Sequence, residues 1–205
     1  MVALSNAEVH LPGFRLVVGD LNIQPGFYWL QGPNGSGKTT FLRTVLGAQE
    51  LNQGTVTVSG EHRIGYVPQN FRETLIPWMS SWRNLCLLKG SRLHMIRVLK
   101  HMKFHTSDLR KRPASLSGGQ CQRVALVREV ESKCNLLLLD EPFSAMDVES
   151  TQCAWELLFR RGQESGIVVL LSLHHVAAAE HLAAQLVKLR FERTADDQAR
   201  VVAER

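Results

Sequence analysis

Gly32-Pro33-Asn34-Gly35-Ser36-Gly37-Lys38-Thr39-Thr40 is the stretch that decides the fold. A Gly, four free positions and Gly-Lys-Thr make a phosphate-loop pattern. The apolar run 27–30 ahead of it reads as a buried strand, and Phe41 to Leu46 behind it reads as a helix. Strand, glycine-rich turn and helix together are the context this motif requires. Glycines let the backbone come close to a ligand, and the loop N–H groups with the positive end of the helix cradle an anion. Lys38 is placed to reach the β- and γ-phosphates of a nucleotide. The Thr39 hydroxyl is placed to ligate Mg²⁺, which takes oxygen ligands. A glycine-rich turn before a helix can also be merely flexible, but the Lys-Thr ending and the strand in front argue against that.

Outward from the loop, strand and helix patterns alternate. Arg15 to Val18 and Leu21 to Ile23 read as short strands before a Pro25-Gly26 turn. Gly47 and then Asn52-Gln53-Gly54 mark a loop. Thr55 to Val58 and Ile64 to Val67 are β-branched strand patterns. Phe71 to about Pro113 differs: Trp82, Leu85 and Leu88, then Leu93, Ile96, Val98, Leu99 and Met102, recur at helical spacing. This predicts a small helical insert whose Trp and Met residues form its packing core. Leu136-Leu137-Leu138-Leu139 is a continuous apolar run, as expected of a central parallel strand covered on both faces. Gln152 to Arg161 reads as a helix, Ile167 to Leu171 as a second buried strand, and Val176 to Ala184 as a helix. Gln185 to Leu189 is a late strand and Val201-Val202 an edge strand. The alternation predicts an α/β three-layer fold with a mostly parallel sheet.

The 205 residues suit one domain with a small insert. Lys plus Arg number 24 against 19 Asp plus Glu, a net +5 that tolerates phosphates or anionic lipid without demanding either. Arg110-Lys111-Arg112 is the densest basic run, and no block resembles a nucleic-acid arm, so no nucleic-acid partner is expected. Cys86, Cys121, Cys134 and Cys153 lack the paired spacing of a zinc site or disulfide framework and read as free thiols of a reducing cytosol. The N-terminus has no leader pattern, and no apolar run reaches the roughly 18–20 residues that span a bilayer. Work at a membrane would need another chain as anchor.

The strand ends carry the chemistry. Asp140 follows the four leucines, where a carboxylate would hold Mg²⁺ opposite Thr39. Glu141, pointing differently, can orient or deprotonate a water for attack on the γ-phosphate. Gln69 follows the Val67-Pro68 strand end, at the edge where open α/β sheets contact ligands.

Leu116-Ser117-Gly118-Gly119-Gln120 resembles the signature motif of ATP-binding-cassette (ABC) ATPases, and a helix from Cys121 to Val130 follows it. Alone, Ser-Gly-Gly is an ordinary helix cap. Its place between a helical insert and a strand ending Asp-Glu-Pro carries the resemblance. Tyr66-Val67-Pro68-Gln69 resembles the Q-loop. Ser144-Ala145-Met146-Asp147 resembles the D-loop, with Met where Leu is usual. His174 resembles the switch histidine, and His175 takes a place usually held by Asp. The resemblance covers essentially the whole chain. It implies a P-loop NTPase three-layer fold with a mostly parallel central sheet, an N-terminal antiparallel β region and a small α-helical insert. It also implies a single cassette over 1–205: a core with β subdomain over 1–69 and 116–205, and a helical subdomain over about 70–115.

The resemblance further implies two copies closing head-to-tail over two Mg·ATP. Gly32 to Thr40 of one chain and Ser117, Gly118, Gly119 and Gln120 of the other would hold each ATP. Lys38, Glu141 and His174 would be catalytic. Thr39, Asp140 and Gln69 would attend the metal, and Asp147 would couple the two sites. The adenine-stacking aromatic departs from the family pattern, leaving His10 or Phe14. As ATPase subunit of a transporter, the chain would sit at the inner face of the cell membrane on separate permease subunits. Pro77-Trp78 is similar to nitrate/sulfonate-type importers. A soluble cassette acting on DNA or ribosomes, and a small-molecule phosphate-loop kinase, are the competing functions. The first lacks its usual coiled coils or second cassette here; the second leaves Ser117 to Gln120 unexplained.

Overall fold

The computed structural model describes residues 1–59, 63–88, 91–163, 166–173, 186–195 and 197–203. In order, the elements are β1 (Val2–Leu11), β2 (Phe14–Ile23), β3 (Gly26–Gln31), α1 (Lys38–Leu46), β4 (Gln53–Val58), β5 (Ile64–Val67), α2 (Ser81–Leu85) and α3 (Arg92–His101). Then follow α4 (Gly118–Val130), β6 (Leu136–Asp140), α5 (Val148–Gly162), β7 (Val168–Ser172), β8 (Val187–Ala195) and β9 (Gln198–Ala203).

The described strands form one sheet in the order β4-β1-β2-β9-β8-β3-β7-β6-β5. From β8 to β5 all neighbours are parallel. β1 pairs antiparallel with both β2 and β4, the expected N-terminal antiparallel region. The β8–β9 hairpin joins the two parts, because β9 lies parallel to β2 while β8 lies parallel to β3.

Strand alternation divides the leucine run between two cores. Leu136 and Leu138 pack with Phe41, Leu42 and Val45 of α1. Leu137 and Leu139 pack on the other face, with α4 and with Trp155 and Leu158 of α5. Helices on both faces make the three layers. Burying each leucine contributes about 1.5–3 kcal/mol, so β6 is the structural centre of the domain.

Several sequence expectations change. Arg15 to Val18 and Leu21 to Ile23 are one strand, β2. It continues through Gly19-Asp20 because β1 bulges opposite, with Asn6 at φ 44 and its N–H donated to the Asp20 carboxylate at 2.8 Å. Val201-Val202 lies in β9, an interior strand, not an edge one. In the helical insert Leu85, Met95, Leu99 and Met102 are buried as expected, but Trp78 is 70% exposed and Leu93 72%. The short α3 turns Met95 and Leu99 inward and leaves Leu93 on its outer side.

Under α5 an aromatic row links the sheet to the segment after β6. Phe27 meets Phe159 at 5.1 Å, Phe159 meets Trp155 at 5.7 Å, and Trp155 meets Phe143 at 5.0 Å between ring centroids. Trp155 is 1% exposed. Trp155→Ala is expected to cost about 3–5 kcal/mol and to lower Tm by roughly 10 °C in thermal unfolding. A change of a degree or two would show that this row does not organise the core.

Candidate functional site

Register decides where the site lies. β3 pairs with β7 up to Leu30 opposite Ser172, and β6 pairs with β7 up to Asp140 opposite the same Ser172. The phosphate loop leaving β3 and the acidic pair ending β6 therefore meet at one sheet edge. Thr39, in the first turn of α1, donates from Oγ1 to Asp140 Oδ2 at 2.7 Å. Ser172 donates from Oγ to Asp140 Oδ1 at 2.6 Å and accepts the Glu141 N–H at 3.0 Å. Asp140 is 2% exposed, so both its oxygens are engaged inside the protein.

Glu141 takes a left-handed backbone conformation, φ 52. Gln69 Nε2 lies 3.4 Å from its carboxylate, bringing the end of β5 into the site. Gln122, a buried residue of α4, donates to the Glu141 carbonyl and to Ser144 Oγ, both at 3.2 Å, and accepts the Ala145 N–H at 2.9 Å.

Within the loop, the Lys38 ammonium donates to the carbonyls of Gly32 and Pro33, both at 2.8 Å. Burial pulls the Lys38 pKa down, while Glu141 and Asp140 pull it back up. Gly37 enters α1 at φ 93, a conformation that favours glycine. Ser36 Oγ is wholly buried with no hydrogen-bond partner among the described residues. Buried hydroxyls are nearly always paired, so this orphan in the phosphate-loop stretch fits an anion. Above the loop is a cleft of 560 Å³, of the size that holds a small ligand. Asn34, Gly35, Gly37, Lys38, Thr39, Thr40, Gln69, Asp140 and Glu141 line it, together with Leu11 to Phe14 and Arg193. Thr39, Asp140 and Gln69 supply only oxygen donors to a cation, a set that fits Mg²⁺ held beside phosphate oxygens.

Other predicted site residues stand apart from this cleft. Ser117 caps α4: its Oγ accepts the Gln120 N–H at 3.2 Å and Gln120 Oε1 accepts the Ser117 N–H at 2.9 Å. That box starts the helix at Gly118, earlier than the expected Cys121. Gly119 presses on the segment after β6, for a Cβ there would lie 2.5 Å from the Ala145 carbonyl oxygen. Gly118 has room for one. Asp147 caps α5 by accepting the Ser150 N–H at 2.9 Å and pairs with Arg123 at 2.6 Å. These contacts, the Ser150 backbone bond first, hold its carboxyl below the usual range. None of Ser117, Gly118, Gly119, Gln120 and Asp147 lines the cleft. His174, its neighbour His175 and the helix expected over 176–184 lie outside the described residues. Of the two base-stacking candidates, Phe14 lines the cleft and its ring reaches Gly37, whereas His10 bonds Glu8 at 3.2 Å away from it.

Ser172, Gln122 and Arg193 were not singled out by the sequence. Ser172 ends an apolar strand just as Asp140 does, which is a usable signal. Gln122 sits among Cys121, Val124 and Ala125, a polar residue on a buried helix.

Comparison with known proteins agrees with this geometry. The ABC transporter family model matches residues 20–144. The aliphatic sulfonates import ATP-binding protein SsuB 1 of Pseudomonas syringae pv. tomato is 36% identical over 202 residues, covering 96% of this chain and 73% of that protein. The corresponding SsuB 3 of Nocardia farcinica is 39% identical over 180 residues, covering 86% and 71%. Among solved structures, a dimeric ATP-binding cassette in a post-hydrolysis state with ADP and Pi superposes with a TM-score of 0.79. That match is 24% identical and covers 100% of this chain and 99% of the other. RNase-L inhibitor gives 0.83 at 23% identity, over 98% of this chain and 39% of the other. The structural likenesses carry the fold, and the family match with the sequence relatives carries the rest: this chain belongs to the ABC transporter family, whose ATP-binding subunits hydrolyse ATP to drive transport.

Proposed function

We propose that this chain powers the import of a small anionic solute, of the aliphatic sulfonate class, through separate membrane permease subunits, by binding Mg·ATP between two copies of itself. Two observations support the solute class: the relatives named for sulfonate import match nearly the whole chain, and Pro77-Trp78 follows the Q-loop. The observation that carries the ATPase chemistry is the Thr39–Asp140–Ser172 network at the mouth of the phosphate loop.

In this proposal Lys38 leaves the two loop carbonyls to neutralise the β- and γ-phosphates. Thr39, Asp140 and Gln69 hold Mg²⁺, which when bound neutralises phosphate charge. Glu141 takes the proton of the attacking water, and His174 orients that water. Ser117 to Gln120 and Asp147, standing outside their own cleft, serve the twin chain's ATP. The N-terminus of the 13-residue helix α4 offers an anion site there.

Coupling to the permease has a mechanical route. Gln69 leads into the turn Phe71–Thr74. Arg72 in that turn donates to the carbonyls of Pro113 at 3.1 Å and Leu116 at 3.2 Å, just before the signature. Arg128 of α4 donates to the Thr74 carbonyl at 2.7 Å. A shift of Gln69 on nucleotide binding thus moves the insert and the signature together. Beside them a groove of 680 Å³, lined among others by Tyr66, Ile76, Leu87 and Leu88, is where a permease segment would dock. No helix among the described residues is long and apolar enough to cross a membrane, so the permease would supply the anchor at the inner membrane face.

Glu141→Gln is expected to lower ATP turnover by about 10²–10⁴-fold while leaving ATP affinity near the parent value and shifting the chain to a dimer in size-exclusion chromatography with Mg·ATP. Parent-rate hydrolysis by this variant would remove Glu141 from the base role. Gln122→Leu keeps the volume but strands the Ala145 N–H and removes one of the two donors to the Glu141 carbonyl, leaving the Ser144 N–H. It should cost about 1–3 kcal/mol in urea unfolding and reduce turnover at saturating ATP. Unchanged turnover would mean that the Gln122 clamp does not position Glu141.

A further inference from the structure

We propose that Arg193 is a second cationic contact for the phosphate chain of the bound nucleotide, delivered by β8 and not by the phosphate loop. This rests on the cleft being the ATP site. β8 pairs with β3 only as far as Arg190 opposite Gln31, then runs on beside the phosphate loop to Ala195. The approach is close: a Cβ on Gly32 would lie 2.7 Å from the Phe191 carbonyl oxygen. Phe191 is buried edge-on against Phe41 of α1. Strand alternation puts Arg193, two residues on, on that same face.

The guanidinium then crosses the loop. Arg193 Nη2 lies 3.2 Å from where a side chain on Gly35 would begin, and Arg193 lines the cleft. Among the described residues its side chain has no hydrogen-bond or ion-pair partner, unlike Arg72, Arg123 and Arg128, which are all engaged. Charge points the same way. Asp140 and Glu141 line the cleft against Lys38, and without Arg193 the carboxylates outnumber the cations around a site that must take a polyanion. A guanidinium is planar and forks onto two phosphate oxygens, and here no described residue competes for it.

Titration of the purified full chain with ATP, ADP and AMP tests this, for the parent, Arg193→Ala and Arg193→Lys. The alanine variant is expected to bind ATP and ADP about tenfold more weakly, with AMP changed by less than about twofold. Arg193→Lys should recover part of the loss, and the difference should shrink with added salt. Arg193 is exposed, so unchanged thermal unfolding will accompany these shifts. Equal weakening for all three nucleotides would overturn the assignment in favour of stacking on the base. Parent-like affinity for all three would overturn it outright. A parent chain that binds none of them would instead defeat the assignment of the cleft itself.

Discussion

The hydrogen bond from Thr39 to Asp140 spans 101 residues of chain, and the rest of the site depends on it. Neither partner could find the other through local structure. They meet because β3, β7 and β6 lie side by side in parallel register and stop at the same level. A slip of one residue in β6 would send Asp140 to the opposite face and exchange the two leucine pairs between cores. The packing of Leu136 and Leu138 against α1, and of Leu137 and Leu139 against α4 and α5, forbids that slip. Four leucines at roughly 1.5–3 kcal/mol each outweigh any preference the polar end of the strand could express. The position of the Asp140 carboxylate is thus fixed by hydrophobic burial.

Glu141 shows the same logic at smaller scale. Its left-handed backbone costs about 1–2 kcal/mol for a residue with a side chain. Its N–H donates to Ser172 Oγ, and its carbonyl accepts from Gln122 Nε2 and from the Ser144 N–H. Bonds of this kind contribute about 0.5–1.5 kcal/mol each, enough to offset the strain. The turn's own Ser144 N–H bond to the Glu141 carbonyl is thus supplemented by neighbours on β7 and α4. This is why Ser172 and Gln122 escape a reading confined to motifs: their work is done on another residue's backbone.

The parts legible in the sequence are those where period and burial agree. The phosphate loop, β3, β5, β6 and β7 carry uninterrupted patterns. β1 does not. Its buried residues are Val2 and Leu4, then Ala7 and Val9, so the alternation changes phase between Leu4 and Ala7. The bulge at Asn6 causes that change, and a period-two search meets a broken pattern where the structure has one strand. Val201-Val202 reads as an edge strand, yet β9 is interior. The β8–β9 hairpin sits between β2 and β3, and that placement is a long-range fact. Trp78 lies in the turn before α2, outside any helix, and Leu93 misleads in the other direction. Helical spacing says which residues share a face, but in an insert packed on only one side it does not say which face is inward.

The signature segment illustrates how two demands come to share one residue. Through the family resemblance, Gly119 would meet a phosphate on a twin chain. Within this chain the same position is already filled, since any side chain there would strike the Ala145 carbonyl. That carbonyl belongs to a segment clamped at Ala145 N by Gln122 and leading to Asp147, the cap of α5. The contact ties the start of α4 to the segment between β6 and α5, so the two move as a unit. Arg123, one turn into α4, adds an ion pair to Asp147 across the same junction. A bulky residue at 119 would therefore disturb the chain's own packing before it met any partner. Gly118, which has space for a methyl group, is the position where an added side chain tests the outward face alone.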